Sequence, residues 1–220
     1  MSNDSPSSSH ITSWDLIVHE LRNRAQLMHE AREAALIQCR KIVQLSARSI
    51  RHVHRRQFSS AEELLAQAIQ ASEAARLILE PFPELNQAYL HDSEKEMVEA
   101  AGVLAIVKGE PYPSAKDLGA QIMSYLNGMG EAASEVRRFA LDDMRKGNFE
   151  DAEKILSQME TIYEDLITFD YADAMTGGLR RTCDALRAVV ERTRSDLTLT
   201  GAQQQLAQEL KNFQEKVVRE

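Results

Sequence analysis

The stretch SEKEMVEAAGVLAIV, residues 93–107, begins with glutamates and ends in an unbroken apolar run. Residues three or four apart share a face of a helix, so Glu96, Glu99 and Val103 line up beside an apolar stripe. The same stripe reads as a core helix from about Glu84 to Lys108, with Gly109 as its stop. A carboxylate pair beside a core stripe is costly to bury. Either the pair meets water, or something binds it.

The rest of the chain is helical in pattern. Few prolines and glycines, few aromatics and abundant Ala, Leu, Gln, Glu and Arg favour helix over strand. A first long helix starts after Ser13, with Trp14, Ile17, Leu21, Ala25 and Met28 stepping by three and four, continued by Leu36, Cys39, Val43, Ile50 and Val53. Trp14 reads as a core or interface residue. Ser59 or Ser60 with Glu62 or Glu63 offers a capping box for a second helix, which Pro81 and Pro83 close after about Leu79. After EPYPSAKDLGAQ, where Ser114 caps a single turn and Gly119 ends it, a fourth long helix is expected from about Ala120 to Lys146. Asn148 caps a fifth, and a sixth runs from about Gly178 to Leu197. Leu206, Leu210, Phe213 and Val217 then form an apolar stripe, either an oligomer contact or an added bundle helix. No strand, internal repeat, zinc spacing, phosphate loop or serine elbow emerges.

The fold class is therefore all-α, a single-domain bundle of about six to seven helices. Residues 1–9 read as a disordered tail, residues 10–200 as the helical domain and residues 201–220 as a helical extension. No apolar run reaches membrane-spanning length, and the polar N-terminus lacks a signal-peptide pattern, so no membrane partner is expected. Cys39 and Cys183 lie far apart in apolar helical patterns and read as buried free thiols of a reducing, cytoplasmic environment.

Net charge is −8, which argues against a protein coated for nucleic acid. One interval departs from the average. Between Glu33 and Glu62 there is no acid, but there are Arg40, Lys41, Arg48, Arg51, Arg55 and Arg56, with His52 and His54 beside them. Lys41, Arg48, His52 and Arg55 share one helical face that could contact successive phosphates. The alternative is a stripe neutralised by acids such as Glu62 and Glu63 or by another subunit.

A second carboxylate pair, Glu131 and Glu135, sits in SYLNGMGEAASEVRRF among Gly128, Gly130, Ala132, Ala133 and Ser134. Small residues there permit close approach of a backbone, a metal or a phosphate. Glu99 lies nine residues before Lys108, about 14 Å, and Glu131 eleven after Ala120, about 17 Å. Antiparallel packing of the third and fourth helices would bring the pairs level. Four converging carboxylates suit Mg²⁺ or Mn²⁺, and the lack of histidine in either pair argues against a di-iron site. Solvated acidic faces remain the alternative. Arg137 and Arg138 follow the pair and could bind a phosphate or pair with acids; Tyr125 could stack on a base or pack.

The segments KEMVEAAGVLAIVKG and DLGAQIMSYLNGMGEAASEVRRFALDDMRKGNFEDAEKI, with GGLRRTCDALRAVVERTRSDL later, resemble the translin/TRAX family over about residues 15–200. The resemblance implies a bundle of the translin type, assembling into a hollow homo-oligomer, an octamer in the family's manner, of prokaryotic or archaeal kind. It implies the catalytic branch, a Mg²⁺- or Mn²⁺-dependent endoribonuclease acting on single-stranded RNA, with DNA a further ligand. The catalytic and metal-binding acids fall on Glu96, Glu99, Glu131 and Glu135, and the RNA contacts on Lys41, Arg48, Arg51, His52, Arg55, Arg137 and Arg138. Glu131 stands where the family has aspartate. A non-catalytic, translin-like nucleic-acid binder is the alternative, with a MazG-like nucleotide pyrophosphohydrolase behind it.

Overall fold

The computed structural model describes residues 13–217, and the tail expected at residues 1–9 lies outside them. Among these residues all regular structure is helical: α1 (Ser13–His54), α2 (Phe58–Leu79), α3 (Pro83–Lys108), α4 (Ala115–Leu118), α5 (Ile122–Glu135), α6 (Arg137–Lys146), α7 (Phe149–Leu166), α8 (Asp173–Thr176) and α9 (Leu179–Val217). The segments α4 and α8 are single turns, and α5 and α6 form one bent rod, so six long rods make the bundle. No described helix is long and apolar enough to cross a membrane.

The C-terminal half of α1 packs through Ala35, Cys39, Ile42, Leu45 and Val53 on α2 and α3. Its other end does not: Trp14, Leu16, Ile17 and Leu21 are exposed in the single chain, so Trp14 is not a core residue. Helix α2 starts at Phe58, with Gln57 at the cap and no side-chain cap bond. The capping box expected at Ser59 or Ser60 is absent because Phe58 packs on the core and draws the start forward. Ser114 and Asp117 do form a capping box, and Gly109 ends α3 in the left-handed conformation at φ 69°. Both cysteines are buried and neither is in a disulfide.

Three features differ from the sequence expectation. The fourth rod breaks at Val136, where a turn separates α5 from α6. The last helix does not stop near Leu197 but runs on to Val217, 39 residues in all, because nothing past Leu197 forbids helix and Gly201 meets no obstacle. Its far end leaves Leu206, Leu210 and Phe213 exposed. The third difference places the site. Helices α3 and α5 run in the same direction, not antiparallel: Gln121 meets Glu94, Gly128 lies against Lys95 and Val98, and Ala132 lies against Gly102. The connection through Pro111, Pro113 and α4 is long enough to carry the chain back along α3 before α5 begins.

Small residues set this packing. A Cβ at Gly128 would lie 2.6 Å from the Lys95 carbonyl oxygen and 2.6 Å from the Val98 Cβ. One at Gly102 would lie 2.7 Å from the Ala132 Cβ. The α3 and α5 backbones therefore touch on either side of the acidic residues.

A candidate carboxylate centre beside a basic helix end

Close α3–α5 contact draws three of the four expected acids together. Carboxylate oxygens of Glu96, Glu99 and Glu131 all lie within 4.8 Å of one another. Glu135, one turn beyond Glu131 at the end of α5, is not in that triad, though its charge reaches Glu99. Its Oε1 accepts a bond from His54 Nε2 at 2.7 Å instead.

Crowding has an electrostatic consequence. Burial, then the charges of Glu96, Glu131 and Glu135, push the Glu99 carboxyl up to about 8, with Lys95 opposing them. Glu96 is also raised, by burial first and by Glu131 second. Lys95 Nζ bridges to Glu131 Oε1 at 2.8 Å. Burial works against the charge on Lys95, yet the bond to Glu131 and the nearby acids outweigh it and hold the ammonium above its ordinary range.

The donor set is entirely oxygen, repelling and partly desolvated, which fits a hard divalent cation better than a soft one. Neither basic partner fully offsets these acids: Lys95 serves Glu131, and His54 serves Glu135. The residues present thus fit Mg²⁺ or Mn²⁺.

The basic residues of α1 lie beside this centre. Lys41, Arg48, Arg51 and Arg55 are exposed, and no ion pair among the described residues engages them. Glu62, a possible neutraliser, is taken by Lys108 at 2.5 Å. His52 is half-buried and bonded to Gln57 at 2.7 Å, which leaves it less available than the arginines. Because His54 touches Glu135 while Arg51 shares its turn and Arg55 follows directly after the helix, the stripe ends at the carboxylates. Arg137 and Arg138 part ways. Arg137 donates to Thr193 Oγ1 at 2.9 Å and Asp196 Oδ2 at 2.8 Å, tying α6 to α9, whereas Arg138 is exposed. Tyr125 packs on the core and donates its hydroxyl to the Pro113 carbonyl at 2.9 Å.

Sequence reasoning missed two residues here, Lys95 and His54. The signal for Lys95 was its place next to Glu96. For His54 there was none beyond its place in the basic interval, because its partner lies 81 residues away.

A fully buried acid, Glu94, lies one turn before the centre and serves the fold. Gln121 N–H, at the cap of α5, donates to Glu94 Oε2 at 2.9 Å, and Arg76 lies 3.6 Å from its other oxygen. Glu94 thereby pins the start of α5 to α3.

No family profile matches the chain. An uncharacterized protein of Methanocaldococcus jannaschii, MJ0175, is 30% identical over 186 residues, 83% of this chain and 82% of that protein. Among solved structures, AfC3PO and its complex with duplex RNA each superpose with a TM-score of 0.79 at 33% identity, covering 84% of this chain and 97% and 96% of theirs. NeC3PO without ligand matches with a TM-score of 0.74 over 90% of this chain and 100% of its own, at 21% identity, a likeness of fold.

Proposed function

The chain belongs to the C3PO/translin family, and from that premise we propose that it is a metal-dependent endoribonuclease that cuts RNA inside a homo-oligomeric shell. The observation that carries the reading is the convergence of Glu96, Glu99 and Glu131 beside the last turn of the basic helix. RNA as the ligand is supported by the unpaired cations of α1 and by the relative solved with duplex RNA.

In this reading Glu96, Glu99 and Glu131 hold Mg²⁺ or Mn²⁺, and Glu135 borders them as the fourth acid. A cation bound there would supply charge neutralisation at the scissile phosphate and make a nearby water more acidic. Lys41, Arg48, Arg51 and Arg55 bind the phosphates of the strand and lead it to the acids. Arg138 is free to assist them; Arg137 is a structural tie. A carboxylate not engaged with the cation takes the proton of the attacking water. Glu131, one methylene longer than the family's aspartate, reaches the cluster all the same.

Assembly follows from the surface left bare. The exposed apolar faces at the start of α1 and the end of α9 suit burial between copies, in a hollow octamer whose basic stripes face inward. That arrangement would let a chain of net charge −8 enclose RNA.

A second reading, an RNA binder without cleavage, is favoured by the Lys95–Glu131 bridge, which offsets part of the acidic charge without a cation. Membership in this family leaves the pyrophosphohydrolase reading without support. The deciding experiment incubates labelled single-stranded and duplex RNA with the protein in Mg²⁺, Mn²⁺ or EDTA. Cleavage that needs metal and vanishes in Glu99→Gln supports the nuclease. Tight binding with no cleavage under any condition supports the binder.

A further inference from the structure

Resting on the metal-site reading, we propose that His54 is a positioning residue of the carboxylate centre, holding Glu135 in place for the cation. Its ring is half-buried at the end of α1 and stacks on Phe139 with centroids 4.9 Å apart and planes 12° from parallel. From there Nε2 reaches Glu135 Oε1 at 2.7 Å. A carboxylate can only accept, so Nε2 carries the hydrogen and donates it.

The three side chains, His54, Glu135 and Phe139, come from three separate elements. Glu135 is the last residue of α5, Phe139 lies one turn into α6, and the Val136 turn between them aims both at the same imidazole. Helix α1 stops directly beyond His54, with Arg56 in the left-handed region at φ 57° and its guanidinium 5.4 Å from the Phe139 ring centroid. The ring is therefore fixed in position and orientation before any cation binds. Only one Glu135 oxygen is engaged by it. Outer partners of this kind, which orient a ligating group through a hydrogen bond, commonly change metal affinity by 10–100-fold when removed.

Arg51, in the last turn of α1, and Arg55, just beyond it, are both exposed. His54 is thus the one direct link among the described hydrogen bonds between the basic helix and the acidic centre.

The test is Mn²⁺ affinity, read by the electron paramagnetic resonance of the free ion, on the full-length protein, its His54→Ala and His54→Gln variants, and each of these in a Glu135→Gln background. The expected result is a loss of about tenfold or more in His54→Ala, partial recovery in His54→Gln, whose amide can still donate, and no further loss when Glu135 is already Gln. Wild-type affinity in a folded His54→Ala overturns the proposal. So does an equal loss in the Glu135→Gln background, because His54 would then act on something other than Glu135. If His54→Ala fails to fold, His54→Gln and His54→Asn carry the comparison, and identical affinity in both and in the wild type overturns it. Mn²⁺ binding is measured without RNA. Absence of cleavage by a wild type that binds Mn²⁺ removes the nuclease reading and leaves the role of His54 standing.

Discussion

Lys95 reaches from α3 to α5 and sets its Nζ 2.8 Å from Glu131 Oε1, so a built-in cation stands against the acidic centre. Without metal this ammonium offsets part of the repulsion; with metal it competes for the same carboxylate. Lys95→Met is therefore expected to lower the melting temperature in EDTA and to enlarge the upward shift on adding Mn²⁺. The bridge is partly exposed, so its direct contribution is about 1 kcal/mol or less. Scanning fluorimetry with and without Mn²⁺ checks both signs, and a smaller Mn²⁺ shift in the variant would refute the competition.

Glu99 makes the metal-free protein sensitive to alkali. Its carboxyl holds a proton in the folded chain up to about pH 8, against an ordinary value of 4.5. Between those values the folded state binds more protons than the unfolded one, so stability falls as pH rises, by at most about 1.4 kcal/mol per pH unit for one proton. Partial exposure of Glu99 keeps the slope below that ceiling. Urea unfolding at pH 6 and pH 8 in EDTA should show the decline in the wild type and a flatter response in Glu99→Gln, which should be the more stable at pH 8. The cation prefers the ionised form, so wild-type Mn²⁺ affinity should rise over the same window.

Gly128 is where the α3 and α5 backbones meet, and Gly201 is a helical glycine with nothing within 4 Å of an added Cβ. Alanine gains about 1 kcal/mol of helix propensity at either position. At Gly128 the clash with the Lys95 carbonyl and Val98 outweighs that gain, since overpacking costs about 1–3 kcal/mol. Gly128→Ala should lose both stability and Mn²⁺ affinity, because the acids on α3 and α5 are pushed apart. Gly201→Ala should be neutral or stabilising and bind Mn²⁺ normally. Equal behaviour of the two variants in urea unfolding would count against the close α3–α5 approach.

Arg48 and Arg137 should separate binding from architecture. Replacing exposed Arg48 by Ala should weaken RNA binding alike across sequences and reduce the salt dependence of log Kd by about one unit of slope. Arg137→Ala loses the bonds to Thr193 and Asp196. It should cost about 1 kcal/mol of stability and leave the salt slope unchanged. Fluorescence-polarisation titrations at several salt concentrations, paired with melting curves, test the two together.

Much of this protein is determined by short-range pattern. The three-four spacing of apolar residues, the glycine and proline stops and the Ser114 cap specify an all-α bundle, since they act within a turn or two of helix. The same local logic singled out Glu96, Glu99 and Glu131, and the small residues around Gly128 that let two backbones approach. Tertiary structure decided what local pattern does not encode. The direction of α5 against α3 depends on the path of the Pro111–Pro113 connection, and the antiparallel expectation failed there although the acids still met. Phe58 overrode the serine caps through core contact. Arg137 went to Asp196, and Glu135 went to His54, across sequence separations of 59 and 81 residues. Such pairings are selected by burial and hydrogen bonding once the helices have packed, which is why spacing found the acids and only the packed bundle decided their partners.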